Sequence, residues 1–423
     1  MTYQEALDFL YPLHRFGIRP GLDRVLGLME VLGSPHLRLG KVIHIAGTNG
    51  KGTTAAAVAS IFQASGRKTA LYTSPHLVDF TERIRIDGRQ IPPECVAGYC
   101  SRLKNAMEGK SITFFEATTA IAFAWFTDEG AEVSVIETGM GGRIDATNIV
   151  RSDCSIITGI GLDHTAWLGH AVPAISAEKA AIIKPGSRAY TAVAEPDAFK
   201  PIAEQAALHH VPLSVTGKDA VWNVTASREG SFLLDIATRR NCYRGMRVPL
   251  TGTFHASNIT LAVMVAEDAE IPERHIRTGI ERMLETGYRA RLEKIGMKPS
   301  IYLDVSHNPD GMKRTVDTLL GFRHLYRSVY ILLGLASDKD APSVVRELAR
   351  LGGTIAAVSI PSERSLPSGE LAEICRREGC GAFAFGNAGE GLGFILDSAG
   401  EEDLVLVTGS FYLAGDILSH YLT

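Results

Sequence analysis

The chain has 423 residues, more than a single hydrophobic core normally serves, so we expect two domains. Apolar residues make up 45% of it and charged residues 21%, and the net charge of −4 excludes a general attraction to nucleic acid or to an anionic membrane. No apolar run reaches the roughly 18 residues of a membrane span, and the six scattered cysteines lack the spacing of a zinc site, so we predict a cytoplasmic protein.

After an amphipathic helical start, the chain from residue 41 alternates apolar strands with glycine-marked loops and helices. This alternation predicts a mostly parallel, doubly wound α/β sheet. Between about 211 and 250 the residue pattern changes, because two segments in which apolar and polar residues alternate flank the turn REGS. We expect this antiparallel region to extend the sheet of the first domain. The predicted strands before it are KVIHIA, TALYT, VSVIET, CSIIT and AYTAV.

A second α/β series follows the basic stretch YRARLEK at 288–294. Five apolar strands in about 135 residues predict a smaller, doubly wound, Rossmann-like domain. We therefore predict an N-terminal domain at 1–287 and a C-terminal domain at 288–423. The five strands are SIYLDV, SVYILLGL, TIAAVSI, GAFAF and DLVLVTG.

A glycine-rich loop follows the first strand and precedes a helix, which is the context of a phosphate-binding loop. Glycines let backbone N–H groups turn toward phosphate oxygens, and a lysine reaches the β and γ phosphates. The alternative is a glycine-rich turn that carries a solvated lysine. The predicted nucleotide-binding residues here are Gly47, Thr48, Asn49, Gly50, Lys51, Gly52 and Thr53.

Three polar residues follow strand ends near this loop, where ligands of such sheets gather. Ser74, Glu116 and His164 offer a hydroxyl, a carboxylate and an imidazole, a set that suits Mg²⁺. Each has a plainer interpretation. Glu116 completes a capping box with Thr113, Ser74 is a turn residue, and His164 is a loop histidine hydrogen-bonded near Asp163.

The loop ETGMGGRIDATN at 137–148 holds three glycines beside charged residues. Backbone there can approach a ligand closely, so Arg143 or Asp145 is a candidate for holding an anionic or polar substrate. The alternative is an ordinary loop with a surface ion pair.

Lys179 is unexpected, because it falls on the same helical face as Ile175, Ile182 and Ile183. A buried ammonium group needs a partner. One alternative is a side chain that extends along apolar surface with its head in water. The other is a head that faces the metal site, either paired with an acid or converted to a carbamate that ligates the metal.

Taken together, these motifs resemble the folylpolyglutamate synthase and dihydrofolate synthase branch of the Mur ligase superfamily. The resemblance covers nearly the whole chain and several long matches occur in the same order. They are FGIRPGLDRVLGLMEVLGSP, HIAGTNGKGTT, TSPHL with ERIRIDG, FFEATTAIAF, ETGMGGRIDATN, IGLDHTAWLG with EKAAIIKPG, LDVSHNPDG and TGSFYLAGDI.

The resemblance implies that ATP lies on the phosphate loop, with Lys51 and Thr53 on its phosphates. Asn258 is implied to lie near the adenine, and three residues of the second domain are implied to close over the nucleotide. Those three are Arg291, Asp304 and His307. Local departures from the family pattern, Ala256, Ala290 and the sequence DVSHN, leave all of these residues in place.

The resemblance also implies a magnesium site at Ser74, Glu116 and His164. Lys179 matches the lysine that the family carbamylates, which would make it a further metal ligand. Lys51, Lys179 and His164 are the implied catalytic residues.

The implied reaction is ATP-dependent amide formation, in which a carboxylate is phosphorylated and an amino group attacks the acyl phosphate. The predicted partners are ATP, L-glutamate and a pterin or folate, with no nucleic acid, no membrane and a monomeric protein. Ser410 is a candidate for glutamate recognition, with a helix N-cap as its alternative. Two other functions remain open: a peptidoglycan-precursor ligase, and a nucleotide-binding module without catalysis.

Overall fold

The computed structural model describes residues 1–17, 19, 21–163, 165–169 and 171–421. An eight-stranded sheet lies at the centre of the first domain. Its strands are β1 (Lys41–Ala46), β2 (Thr69–Tyr72), β3 (Ile84–Ile86), β4 (Arg89–Gln90), β5 (Val133–Glu137), β6 (Cys154–Ile157), β7 (Arg188–Thr191) and β8 (Leu213–Val215).

The strand order is β4-β3-β2-β5-β1-β6-β7-β8, and the six strands from β2 to β8 in that order pair in parallel. Strand β1 therefore lies between β5 and β6, so the loop after β1 lies at the crevice between them, where ligands bind in open α/β sheets. The predicted doubly wound sheet is confirmed. Its antiparallel extension is formed by β3 and β4.

The region at 211–250 extends this sheet only by the parallel edge strand β8. Its antiparallel hairpin, which we expected to extend the sheet, forms a separate sheet in the order β11-β10-β9. The inward side chains of this small sheet, among them Phe232, Ile236 and Met246, are buried in the same cluster as helix residues 256–266. That apolar face is covered by a helix instead of a neighbouring strand, so the sheet stays separate. Its strands are β9 (Ala220–Arg228), β10 (Ser231–Thr238) and β11 (Cys242–Val248).

Helices cover both faces of the first sheet, as its two-sided burial requires. Among the described residues, no helix has the length and hydropathy needed to cross a membrane. The helices are α1 (Tyr3–Leu10), α2 (Asp23–Val31), α3 (Lys51–Ala64), α4 (Pro93–Met107), α5 (Phe114–Asp128), α6 (Thr165–Leu168), α7 (Val172–Ala180), α8 (Pro196–Leu208), α9 (Ala256–Asp268) and α10 (Glu273–Glu281). Single 3₁₀ turns occur at Tyr11–Phe16, Pro35–Leu37, Phe80–Arg83, Ala146–Ile149, Thr253–His255 and Met283–Thr286.

The second domain has a six-stranded sheet with a separate core on each face. All five predicted strands are present and parallel, and an antiparallel edge strand, which the sequence analysis missed, precedes them. The strands are β12 (Glu293–Met297), β13 (Ser300–Leu303), β14 (Val329–Leu333), β15 (Thr354–Val358), β16 (Gly381–Phe385) and β17 (Leu404–Thr408), in the order β12-β13-β17-β14-β15-β16. The helices are α11 (Pro309–Phe322), α12 (Ala341–Ala349), α13 (Ser368–Arg377), α14 (Ala388–Ser398) and α15 (Phe411–His420), with a 3₁₀ turn at Arg323–Leu325.

Helix α3, which begins at the phosphate loop, packs closely against α10. A Cβ atom added to Gly279 would lie 2.4 Å from the Cα of Ile61 and 2.7 Å from its backbone nitrogen. Because the obstructing atoms belong to backbone, no rotamer change relieves the overlap. The backbone contact at Gly279 therefore fixes α3, and with it the loop at its N-terminus.

We expect Gly279→Ala to lower the free energy of unfolding of the first domain by about 1–3 kcal/mol, the usual cost of overpacking. Gly98→Ala is the matched control, because Gly98 is also helical and no atom lies within 4 Å of its added Cβ. That control should be neutral or stabilising by up to about 1 kcal/mol, since alanine favours helix. Urea unfolding of both variants measures the difference, and equal midpoints would contradict the packing argument.

Candidate active site

The phosphate loop needs glycine at two positions for steric reasons. A Cβ at Gly47 would lie 1.9 Å from the Oγ1 of Thr158, at the end of β6. Gly50 has φ of 92°, and a Cβ there would lie 2.5 Å from the Oδ1 of Asn258. The first helical turn of α3 follows with its free N–H groups, so the loop has the close packing and the dipole end that an anion site requires. These observations fit a bound nucleotide phosphate.

Two lysine ammonium groups meet at one carbonyl of this loop. The Nζ of Lys51 donates to the oxygens of Gly47 (3.1 Å) and Thr48 (3.2 Å), and the Nζ of Lys179 donates to the same Gly47 oxygen (3.0 Å). Lys179 is only 4% exposed, so the alternative of a head in water is wrong. Burial, with a smaller effect from Lys51, lowers the pKa of Lys179 to about 7.

Glu137 is the acidic side chain nearest to this pair, and the sequence analysis did not single it out. Its Oε1 lies 3.9 Å from the Nζ of Lys51, and its Oε2 accepts a long hydrogen bond of 3.4 Å from the backbone nitrogen of Ser74. Burial raises the pKa of Glu137, against the effects of Lys51 and Arg291. Its position at the end of β5, the strand beside β1, is the sequence feature that could have identified Glu137.

Glu116 makes the contacts of its plainer interpretation. Its carboxylate accepts from the backbone nitrogen of Thr113 at 2.8 Å, and the Nε of Arg24 donates to its other oxygen at 2.9 Å. Its role as a metal ligand stays a prediction. His164 lies outside the described residues. Among the described residues, no group of three or more His, Cys, Asp or Glu side chains is arranged to hold a metal ion.

The loop after β5 packs directly on the helix that carries Lys179. A Cβ at Gly142 would lie 2.5 Å from the backbone oxygen of Glu178. Arg143 forms a surface ion pair with Glu178, from Nε to Oε1 at 2.9 Å, and buried Asp145 accepts from the backbone of Met140 at 2.9 Å. These contacts organise the loop itself, and substrate binding by Arg143 or Asp145 stays a prediction.

The hydroxyl of Thr53 contacts side chains near the domain junction, and its contact with ATP phosphates stays a prediction. Its Oγ1 lies 2.7 Å from the hydroxyl of Tyr288 and 3.3 Å from the Nδ1 of His255. Burial raises the pKa of Tyr288 to about 12, so its phenol is neutral at pH 7. Asn258 lies against the phosphate loop at Gly50. The sequence analysis anticipated neither this contact nor those of Thr53.

A small cleft of about 70 Å³ opens beside these residues and is lined by both domains. Gly52, Ser74 and Glu137 contribute from the first domain, and Arg291 and Phe411 from the second. The guanidinium carbon of Arg291 lies 4.9 Å from the ring centroid of Phe411, a cation–π contact. A larger cavity of about 530 Å³ lies elsewhere, around Glu229 and Tyr326. Because the smaller cleft touches the phosphate loop helix and its acidic neighbour, we take it as the reaction site.

Ser410, at the start of α15, has the contact of an N-cap. Its Oγ accepts from the backbone nitrogen of Leu413 at 3.0 Å. Glutamate recognition by this hydroxyl stays a prediction.

Asp304 holds the second domain's side of the junction together. Its carboxylate accepts from the backbone nitrogens of Leu292 and Ser306 at 3.0 Å and from the Oγ1 of Thr315 at 2.9 Å. Asp304 is buried, so these bonds connect the segment that carries Arg291 to helix α11. Nucleotide contact by Asp304 stays a prediction.

The two domains also meet around Asp163, beside the phosphate loop. Its carboxylate lies 2.9 Å from the Nζ of Lys339, 3.2 Å from the Nδ2 of Asn308 and 3.5 Å from the Nε2 of His307. Asn49 of the loop donates to Asp310 at 2.8 Å. His307 therefore lies beside Asp163, and its contact with ATP stays a prediction.

Comparisons with known proteins agree with this geometry. The profile of the Mur ligase middle domain matches residues 45–266, and that of the Mur ligase, glutamate ligase domain matches residues 290–411. The dihydrofolate synthase/folylpolyglutamate synthase of Bacillus subtilis is 31% identical over 98% of both chains. The chain belongs to the dihydrofolate synthase/folylpolyglutamate synthase family of ATP-dependent ligases.

Solved structures of the family superpose over nearly the whole chain. Escherichia coli FolC in complex with DHPP and ADP gives a TM-score of 0.88 at 29% identity, covering 99% of this chain and 97% of that one. The Yersinia pestis enzyme complexed with AMPPNP and Mn ion gives 0.86 at 30% identity, covering 99% and 98%. The domain boundary predicted at 287/288 stays a prediction.

Proposed function

We propose that the protein is an ATP-dependent ligase that adds L-glutamate to dihydropteroate, to reduced folates, or to both, through an acyl phosphate. One observation carries this proposal beyond the family membership. Two lysines converge on the phosphate loop, and a buried carboxylate 3.9 Å from one of them, Lys51, lines a cleft that both domains form. That arrangement is suited to bringing two anions together, because fixed positive charge offsets their repulsion.

The chain's own residues have separable tasks. Lys51 and the N-terminus of α3 would bind the β and γ phosphates, and Arg291, projecting from the second domain, would neutralise charge that develops between phosphate and carboxylate. The partly buried rings of Tyr288 and Phe411 would keep water away from the activated carboxyl group, so that an amine reacts in its place. His307 would approach the phosphates once Asp163 releases it.

We propose Glu137, Ser74 and His164 as ligands of Mg²⁺, with Glu116 as the earlier candidate. Magnesium, when bound, supplies positive charge to the phosphate oxygens. The support is chemical: Glu137 is a buried carboxylate whose oxygens lie near Lys51 and the Ser74 backbone, whereas the oxygens of Glu116 are engaged by Thr113 and Arg24.

We propose that Lys179 is carbamylated. Its amine is buried near the phosphate loop, and a pKa of about 7 leaves half of it neutral at neutral pH. The ammonium group first loses a proton. The neutral nitrogen then attacks carbon dioxide, forms an N–C bond as one C=O π bond of CO₂ opens, and releases a second proton, so that the two steps together turn a cation into an anion. That anion would relieve the repulsion between Lys179 and Lys51 and would face the metal.

We also propose that the protein acts in the cytoplasm as a monomer. All six cysteines are free thiols, which fits a reducing compartment.

Phosphate release from ATP tests the function directly. With L-glutamate present, we expect release with dihydropteroate, with tetrahydrofolate, or with both, and no release without a pterin. A muramyl peptide nucleotide is the third acceptor in the same assay. Release with that acceptor alone would favour a peptidoglycan-precursor ligase, and no release with any acceptor would favour a nucleotide-binding module.

Glu137→Gln and Glu116→Gln form a matched pair for the metal ligand. If Glu137 holds the metal, Glu137→Gln should weaken Mn²⁺–nucleotide binding at least roughly tenfold and leave metal-free ADP binding nearly unchanged. Glu116→Gln should change metal affinity little. Because glutamine can also serve at this capping-box position, the variant should lower stability only through the lost ion pair with Arg24, by up to about 1 kcal/mol. Calorimetry with Mn²⁺ present and absent makes the comparison. If Glu116→Gln weakened Mn²⁺–nucleotide binding more than Glu137→Gln did, Glu116 would be the metal ligand.

Native mass spectrometry tests the carbamate. We expect an adduct of about 44 Da, the mass of CO₂, that increases with bicarbonate and between pH 6 and 8, because the neutral amine fraction increases through the pKa near 7. Lys179→Ala should lack the adduct and should lose activity. Exposed Lys200 provides the control, Lys200→Ala, which should keep both. Absence of the adduct together with full activity of Lys179→Ala would contradict the proposal.

A further inference from the structure

The domains also meet far from the phosphate loop, at a single carboxylate. Glu229 lies at the turn between β9 and β10 of the first domain. The Nζ of Lys294 donates to its Oε2 at 2.9 Å, and the hydroxyl of Tyr302 donates to its Oε1 at 2.5 Å. The hydroxyl of Tyr326 is a third donor to the same carboxylate. One side chain of the small sheet thus accepts three bonds from the second domain.

Two of the three donors belong to the strands that flank the second domain's candidate site residues. Lys294 and Tyr302 are cross-strand partners in β12 and β13. Lys294 is three residues after Arg291, and Tyr302 is two residues before Asp304 and five before His307. Because a strand transmits displacement along its length, the position of Glu229 constrains where these residues meet the first domain.

The first-domain side of this contact is held firmly. The backbone nitrogen of Gly230 donates to the Oγ1 of Thr251 at 3.0 Å, and the Nε of Arg228 donates to the Oγ of Ser231 at 3.0 Å. Shortly after Thr251, Phe254 packs against the core of the second domain. The turn is therefore fixed to the body of the first domain, and it cannot follow the second domain freely.

The charge of Glu229 suits this task. Burial acts to raise its pKa, but hydrogen bonds from Tyr302, Tyr326 and Lys294 outweigh burial and lower it. The carboxylate is thus ionised at neutral pH and pairs with the Lys294 ammonium. An ion pair with two further hydrogen-bond donors fixes the position of the carboxylate, which a single surface salt bridge does not.

We propose that Glu229 is a positioning residue for ligation: through Lys294, Tyr302 and Tyr326 it fixes the second domain in the orientation that brings Arg291 and His307 to the phosphate loop. This inference rests on the proposed function. It differs from a role in binding, because Glu229 is not among the residues that line the reaction cleft.

Glu229→Ala tests the proposal, with kinetics and small-angle scattering on the full chain. We expect kcat to fall roughly 10- to 100-fold, the effect of small misplacement at a reacting centre, with nucleotide affinity changed by no more than about twofold. Scattering with AMPPNP and Mg²⁺ should give a larger radius of gyration than the wild type. Glu229→Gln can still accept hydrogen bonds from both tyrosines, so its kcat and radius of gyration should lie between those of Glu229→Ala and the wild type.

Glu401→Ala is the control, because it removes a Lys–Glu ion pair, Lys298–Glu401 at 2.8 Å, that lies within the second domain. It should leave kcat and scattering unchanged. If Glu229→Ala does not fold, Glu229→Gln and Lys294→Met provide the same comparison. An unchanged kcat, or a lower kcat with wild-type scattering, would overturn the proposal. Should the wild type release no phosphate with any pterin, the proposed function fails, while the scattering comparison still decides whether Glu229 sets the domain orientation.

Discussion

The structure depends on the convergence of two ammonium groups at the carbonyl of Gly47. Lys51 comes from the first turn of α3 and Lys179 from α7, and both donate to that oxygen. Two cations so close repel each other, and burial adds to the cost, as the lowered pKa of Lys179 records. Glu137 offsets part of this charge from 3.9 Å, but it is itself protonated more readily because it is buried. The site is therefore built for additional negative charge, which a polyphosphate or a carbamate provides.

The close packing around the phosphate loop explains why this site tolerates little change. The backbone of Gly47 lies against Thr158, that of Gly50 against Asn258, and that of Gly142 against Glu178. In each case a single methyl group would overlap a neighbour. The glycines thus allow a loop, a second loop and helix α7 to approach one another, and that approach brings Lys179 within reach of a loop more than 130 positions earlier in the sequence.

Periodicity and turn residues were sufficient to predict much of the fold. Alternating strands and helices gave both doubly wound sheets, and the position of the phosphate loop followed from the strand before it and the helix after it. The small sheet was assigned to the wrong place, because strand alternation tells which face is buried but not what covers it. Glu137 was missed for a related reason: the capping pattern around Glu116 was visible in the sequence, whereas the pairing of β5 with β1 is a tertiary fact. Glu229 carries no local signal, since its partners come from three separate segments of the second domain.

Interdomain geometry limits which reactions this site can perform. Around Asp163 the two domains meet through polar and charged side chains, Lys339 and Asn308 among them, which separate at modest cost when a substrate competes for them. At the other contact, Phe254 packs against the core of the second domain and Glu229 accepts three hydrogen bonds, although the Lys294–Glu229 pair is more exposed than the Lys339–Asp163 pair. If the contacts at Asp163 separate while those at Phe254 and Glu229 persist, substrates would enter beside the phosphate loop and the second domain would return to the same position. Such a motion excludes water at each closure, as amide formation in competition with hydrolysis requires.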